Sequence, residues 1–186
     1  MTQKREVINF PYSEPPLPGT VQKVYDGIYW ARMHLPMLID HVNVYIIEGA
    51  DDLTVVDTGL NVNDCRLAWL EILKNNFSSK PIRKVVITHH HPDHIGLLGW
   101  LCENFDVEVF ASRTSWLLAR MLYFDRQDQP SEQAKNFWIK AGMDKKIFNE
   151  RCSTRPFNFS DGVSAFPVGF TALNQGDEMV FAEKRW

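Results

Sequence analysis

The chain has 186 residues, 45% hydrophobic and 23% charged, which excludes disorder, collagen and coiled coil as whole-chain readings. Twenty Lys and Arg against 23 Asp and Glu leave a net charge of −3, too weak a positive field to hold nucleic acid through phosphate contacts. No apolar run reaches the roughly 18 residues of a membrane span, and residues 1–7 lack the apolar stretch of a signal peptide.

In chain order, residues 9–19 carry four prolines and read as an extended lead-in. Val21 to Met33 predicts one or two short strands with a turn at Asp26-Gly27. Val42 to Glu48 and Leu53 to Asp57 read as strands joined by a turn at 49–52, spaced like a hairpin. Asn61 to Asn76 is predicted to be an amphipathic helix: Leu67, Leu70, Leu73 and Phe77 recur at helical spacing, with Asn63 or Asp64 available as a cap. After Pro81, Val85 to Thr88 reads as a short buried strand, Ile95 to Glu103 as a helix and Val107 to Ala111 as the next strand. This alternation argues for an α/β sheet. Residues 112–155 are helical in texture, with caps at Ser112 or Thr114 and at Ser131, a break over 125–130 and a stop at Gly142. Asn158 to Pro167 is turn-rich, and Gly176-Asp177-Glu178 opens a last strand, 179–182. Cys65, Cys102 and Cys152 are odd in number and widely spaced, so they read as reduced thiols of a cytoplasmic protein.

Four of the six histidines lie between positions 89 and 94, and none follows. The run Thr88-His89-His90-His91-Pro92-Asp93-His94 holds the spacing His-x-His-x-Asp-His. Imidazole is the commonest protein ligand for zinc and also suits iron, and carboxylate completes such sites. His89 and His91 can share one ion while Asp93 and His94 face a second. Two ions that close polarise a substrate oxygen and hold a hydroxide between them. A solvated histidine-rich loop is the alternative; a position between a buried strand and a helix counts against it. His90 points away from its neighbours in an extended loop and is not expected to be a ligand.

Together with the upstream strand end Thr54-Val55-Val56-Asp57-Thr58-Gly59, this segment resembles the signature of the metallo-β-lactamase-fold hydrolases. The resemblance runs from about Val21 to the C-terminus and implies an αββα sandwich. Residues 1–186 would form mainly its first half as a single partial domain, with 112–155 as a helical insertion. It assigns His89 and His91 to a first metal, Asp93 and His94 to a second, and puts Asp57 behind them, orienting a ligand or the loop. Two zinc ions are implied, with iron or manganese as alternatives. The implied activity is attack of a metal-bound hydroxide on an ester, lactone, thioester or amide of a small-molecule substrate, with Asp93 orienting or deprotonating that water. Family members complete the site with a third histidine, a bridging aspartate and a final histidine. Neither Asp161 nor Asp177 has the glycine–histidine pattern of those ligands. The expectation is therefore an N-terminal portion or truncated product, completed by a homodimer or a complementing C-terminal segment. The rival readings are a non-haem iron oxidoreductase on the same fold and a catalytically incompetent fragment or partner subunit. Neither a membrane nor nucleic acid is an expected partner. His41 reads as a structural histidine. Trp116, Leu117, Met121, Leu122, Phe137 and Trp138 read as core rather than a substrate lid, and Cys102 as a buried small hydrophobe.

Overall fold

The computed structural model describes residues 11–186; the signal-peptide reading of residues 1–7 and the start of the lead-in lie outside them. Seven strands form one sheet in chain order: β1 Gln22–Tyr25, β2 Ile28–His34, β3 His41–Glu48, β4 Leu53–Val56, β5 Ile82–Ile87, β6 Glu108–Ser112 and β7 Thr171–Leu173. β1 to β4 form an antiparallel meander, and β4 to β7 run parallel. The change from antiparallel to parallel pairing follows from the connections. Short turns join the early strands, whereas helices cross between the later ones.

The register separates two faces. On one, Ala31 lies beside Val44, Ile46 beside Val55, Val85 beside Val109 and Ile87 beside Ala111. All are buried, together with Trp69 and Ile72 of α1 (Asn63–Asn76) and Leu98 and Leu101 of α3 (Leu98–Asn104). The opposite face presents the row Trp30, Tyr45, Val56, Val86 and Phe110. A separate hairpin, β8 Val180–Phe181 with β9 Lys184–Arg185, packs Phe181 edge-on against Phe110 at 5.4 Å, while Lys184 Nζ donates to the Asp26 carbonyl at 3.0 Å and the Ala50 amide donates to the Glu183 carboxylate at 3.2 Å.

Three local expectations change. The buried stripe of α1 is Cys65, Ala68, Trp69 and Ile72, whereas Leu67 and Leu70 are each 50% exposed. Trp69 governs the helix's rotation because it buries more surface than any leucine. The cap position is Val62, without a side-chain hydrogen bond, so neither Asn63 nor Asp64 caps the helix. The helix predicted over 95–103 is two pieces, α2 Pro92–Ile95 and α3, divided at Gly96-Leu97. The Gly96 carbonyl accepts from the Ser164 amide at 2.7 Å and its hydroxyl at 2.8 Å, while the Leu97 amide donates to the Gly59 carbonyl at 3.1 Å. A Cβ on Gly96 would lie 2.4 Å from the Pro92 carbonyl oxygen and 2.7 Å from those of Gly59 and Gly162, so glycine is required for this approach.

The 112–155 region holds α4 Arg113–Phe124 capped by Ser112, α5 Glu132–Lys140 capped by Ser131, and α6 Lys145–Ser153 capped by Asp144. Gly142, at φ 74°, follows α5. Trp116 is buried, but Leu117, Met121 and Phe137 are 56–68% exposed and do not join the core. The predicted strand 179–182 is only one arm of the β8–β9 hairpin, and β7 is a strand the sequence pattern did not reveal. Among the described residues no helix is long and apolar enough to cross a membrane.

Candidate metal centre

β4 and β5 are parallel neighbours, so their C-terminal ends emerge side by side. In such sheets ligands gather at these ends. β4 ends into Asp57 and β5 runs through Thr88 into the histidines. Asp57 is 4% exposed and has φ 63°, a left-handed conformation that costs a non-glycine residue about 1–3 kcal/mol. The conformation is held by its contacts. Asp57 Oδ1 accepts from the Thr88 amide at 2.8 Å, and Oδ2 accepts from the Thr88 hydroxyl at 2.7 Å and lies 2.8 Å from His94 Nδ1. Thr58 adds a second tie, its amide and hydroxyl donating to the His94 carbonyl at 2.7 and 2.9 Å. Trp69 Nε1 donates to the Thr58 carbonyl at 2.7 Å, connecting this turn to the core.

These bonds fix the tautomers. His94 presents Nδ1–H to the Asp57 carboxylate, and its Nε2 lies 3.4 Å from Asp93 Oδ2. The single proton of the Thr88 hydroxyl goes to Asp57, so Thr88 Oγ1 accepts from His89 Nδ1–H at 3.0 Å. That leaves the His89 Nε2 lone pair free. The His89 ring centroid lies 4.0 Å from that of His94 and 4.5 Å from that of His91. His91 stands at the exposed start of α2, with Pro92 as the first helical residue. The His90 ring lies 6.4 Å from that of His89 and 4.9 Å from that of His91.

Burial, with the neighbouring His94 and His91, pushes His89 below its ordinary pKa, against the pull of Asp57 and Asp93. His89 is thus biased toward the neutral imidazole that binds metal. Burial also acts to lower His94, but the hydrogen bond and charge of Asp57, with Asp93, outweigh it and raise that group.

The three imidazoles and Asp93 therefore converge on one polar surface, with Asp57 behind His94. Among the described residues no three His, Cys, Asp or Glu side chains already stand in a coordination geometry. The convergence is one of rings on a shared loop, with centroids 4.0 and 4.5 Å apart. In donor chemistry the set suits zinc: imidazoles, one carboxylate, and an outer carboxylate orienting a ring. Thr88, which bridges Asp57 to His89, had no role in the sequence reading. Its part depends on two strand ends meeting 31 positions apart. His41, half-buried, has Nδ1 2.5 Å from Asp40 Oδ1 and in contact with Arg32 Nη2.

Comparison with known proteins agrees with this architecture. A probable metallo-hydrolase of Bacillus subtilis (strain 168), YqjP, is 38% identical over 97 residues, covering 52% of this chain and 30% of that protein. A linear primary-alkylsulfatase of Pseudomonas sp. (strain ATCC 19151) is 38% identical over 74 residues, covering 37% of this chain and 14% of its own length. A crystal structure of a beta-lactamase domain protein from Burkholderia ambifaria superposes with a TM-score of 0.75 at 26% identity, over 94% of this chain and 48% of that one. The chain thus spans under a third of these curated relatives and about half of the solved structure. The family model of the metallo-beta-lactamase superfamily matches residues 38–177, and the chain belongs to that superfamily.

Proposed function

We propose that His89, His91, Asp93 and His94 hold zinc and that the protein is a metal-dependent hydrolase of an ester, lactone, thioester or amide. The observation that carries this reading is the anchoring of His94 Nδ1 and Thr88 by one buried carboxylate, Asp57, which turns the second nitrogen of the His94 ring toward Asp93. Zinc held there supplies a Lewis acid that lowers the pKa of water to about 7 and polarises the scissile group. Asp93, 30% exposed, orients the attacking water and takes its proton. Asp57 acts through His94 and the loop rather than on substrate. No histidine follows His94; the remaining ones are His90 on the same loop and His34 and His41 at the facing ends of β2 and β3. The superfamily relatives named as a metallo-hydrolase and an alkylsulfatase support hydrolysis as the reaction class and add sulfate esters to the panel worth testing. The three free cysteines support a reducing, cytoplasmic setting.

The test is zinc-supplemented hydrolysis of lactones, thioesters and alkyl sulfates by the 186-residue chain and by the same chain supplied with further donor residues. Turnover at background for the first and chelator-sensitive turnover for the second, abolished by His91→Ala, is the expected result. Turnover by the second that survives both the chelator and His91→Ala would refute the reading.

A further inference from the structure

In an unbroken helix the Trp100 amide donates to the Gly96 carbonyl, four residues back. Here that amide donates to Ser164 Oγ at 3.1 Å, and the same hydroxyl gives its one proton to the Gly96 carbonyl at 2.8 Å. A side-chain oxygen from a distant segment thus stands inside the helical ladder at the place where α2 and α3 divide. Such insertions kink helices. The ladder resumes at the next residue, where the Leu101 amide donates to the Leu97 carbonyl at 2.9 Å. Ser164 is 9% exposed, and its own amide also donates to the Gly96 carbonyl, at 2.7 Å. Backbone and side chain together hold the hydroxyl in place.

The segment carrying Ser164 is fixed from both sides. Arg155 donates to the two Asp161 oxygens at 2.8 and 3.0 Å, and Asp161 Oδ2 accepts from the Asn158 amide at 2.8 Å. The Asn158 side chain, in turn, accepts from the Gln127 amide at 2.7 Å and donates to the Gln127 carbonyl at 3.0 Å, which joins the segment to the connection between α4 and α5. Closer to Ser164, the Gly162 carbonyl accepts from the Asn61 amide at 2.9 Å. A Cβ on Gly162 would stand 3.2 Å from Pro92 Cβ, at the first residue of α2. That short helix carries Asp93 and His94, two of the four candidate donors. Asp57 holds the His94 ring; the hydroxyl sits just past the other end of the same turn. We propose that Ser164 is a positioning residue for the metal loop: its hydroxyl sets the direction of α2 against α3 and so the placing of Asp93 and His94. The proposal rests on the metal reading above. It gives a residue 70 positions beyond His94 a part in metal affinity, exerted through Gly96 and Trp100 rather than on a metal or substrate.

Three variants separate this role from plain support. Ser164→Ala removes the inserted oxygen and frees the Trp100 amide to bond the Gly96 carbonyl directly. Ser164→Thr keeps the hydroxyl. Asn158→Ala loosens the same segment at Gln127 but leaves the insertion in place. Thermal melts confirm folding, competition with a chelator gives zinc affinity, and the visible absorption of the cobalt(II)-loaded chain reads donor geometry. Ser164→Ala should weaken zinc about tenfold and shift the cobalt bands, while Ser164→Thr should bind zinc within about threefold of the unmodified chain. Asn158→Ala should melt earlier with its cobalt bands unmoved. On the metal-free chain, the Trp100 amide and His94 ring resonances should move in Ser164→Ala and stay in place in Asn158→Ala. Failure of the unmodified chain to bind zinc or cobalt, with those resonances responding as stated, would refute the metal reading and leave the orienting role of Ser164 standing. Unchanged zinc affinity and cobalt bands in Ser164→Ala, on a chain that binds both metals, overturn the proposal. So do equal band shifts in Ser164→Ala and Asn158→Ala, which would reduce Ser164 to ordinary support.

Discussion

Asp57 organises more of the candidate site than any one histidine. One buried carboxylate holds a backbone amide, a hydroxyl and an imidazole, and it does so from a left-handed conformation that its partners stabilise. Asp57→Asn keeps the shape but replaces one acceptor oxygen with an N–H group facing other donors. Loss of about 1–3 kcal/mol of stability is expected from the unsatisfied groups. Zinc affinity should fall about 10–100-fold through misoriented His94. Chemical denaturation and zinc titration of the variant measure the two effects separately. The histidine spacing and Asp57-Thr58-Gly59 were legible in the sequence because each lies within a few consecutive residues. The bridging role of Thr88 was not, because it arises only when β4 and β5 end side by side.

At the scale of elements, strands were legible where alternation or a buried apolar run extended over several residues, as in β3 and β5. Helix α1 was legible in extent but not in rotation. Counting leucines chose 67, 70 and 73, whereas the helix turns on Trp69, which is fully buried and hydrogen-bonded to the Thr58 carbonyl. Trp69→Ala should therefore cost about 3–5 kcal/mol. Leu70→Ala, at a half-exposed position, should cost less than about 1 kcal/mol. Thermal melts of both variants check the ranking, and equal losses would contradict this orientation of α1. The division of the 95–103 helix was illegible for a similar reason. It depends on carbonyls from Gly59 and Gly162 crowding Gly96, contacts that no local pattern records. β7 and the β8–β9 hairpin have two or three residues per strand and take their form from neighbouring segments, too short for alternation to be visible.

For the whole molecule, the two faces of the sheet differ. One is covered by α1 and α3; the other carries Trp30, Tyr45, Val56 and Val86, with Tyr45 40% exposed. We propose that this second face meets another layer, from a second copy or a complementing segment, since an apolar sheet face of this kind is an association surface. Sedimentation velocity should show the 186-residue chain self-associating as concentration rises. Trp30→Lys with Tyr45→Lys should shift it toward monomer without a large fall in melting temperature. A monodisperse monomer at high concentration would contradict the proposal.

The central claim is that the 89–94 loop holds a metal through its side chains. Equilibrium zinc titration of the unmodified chain, His90→Ala, His89→Ala and His94→Ala, with a competing chelator to define affinity, tests it most directly. Saturable binding is predicted for the first two, because the His90 ring stands farther from His89, at 6.4 Å, than the His91 ring does, at 4.5 Å. Binding at least tenfold weaker is predicted for the last two. Equal zinc affinity in all four proteins, or a loss confined to His90→Ala, would contradict it.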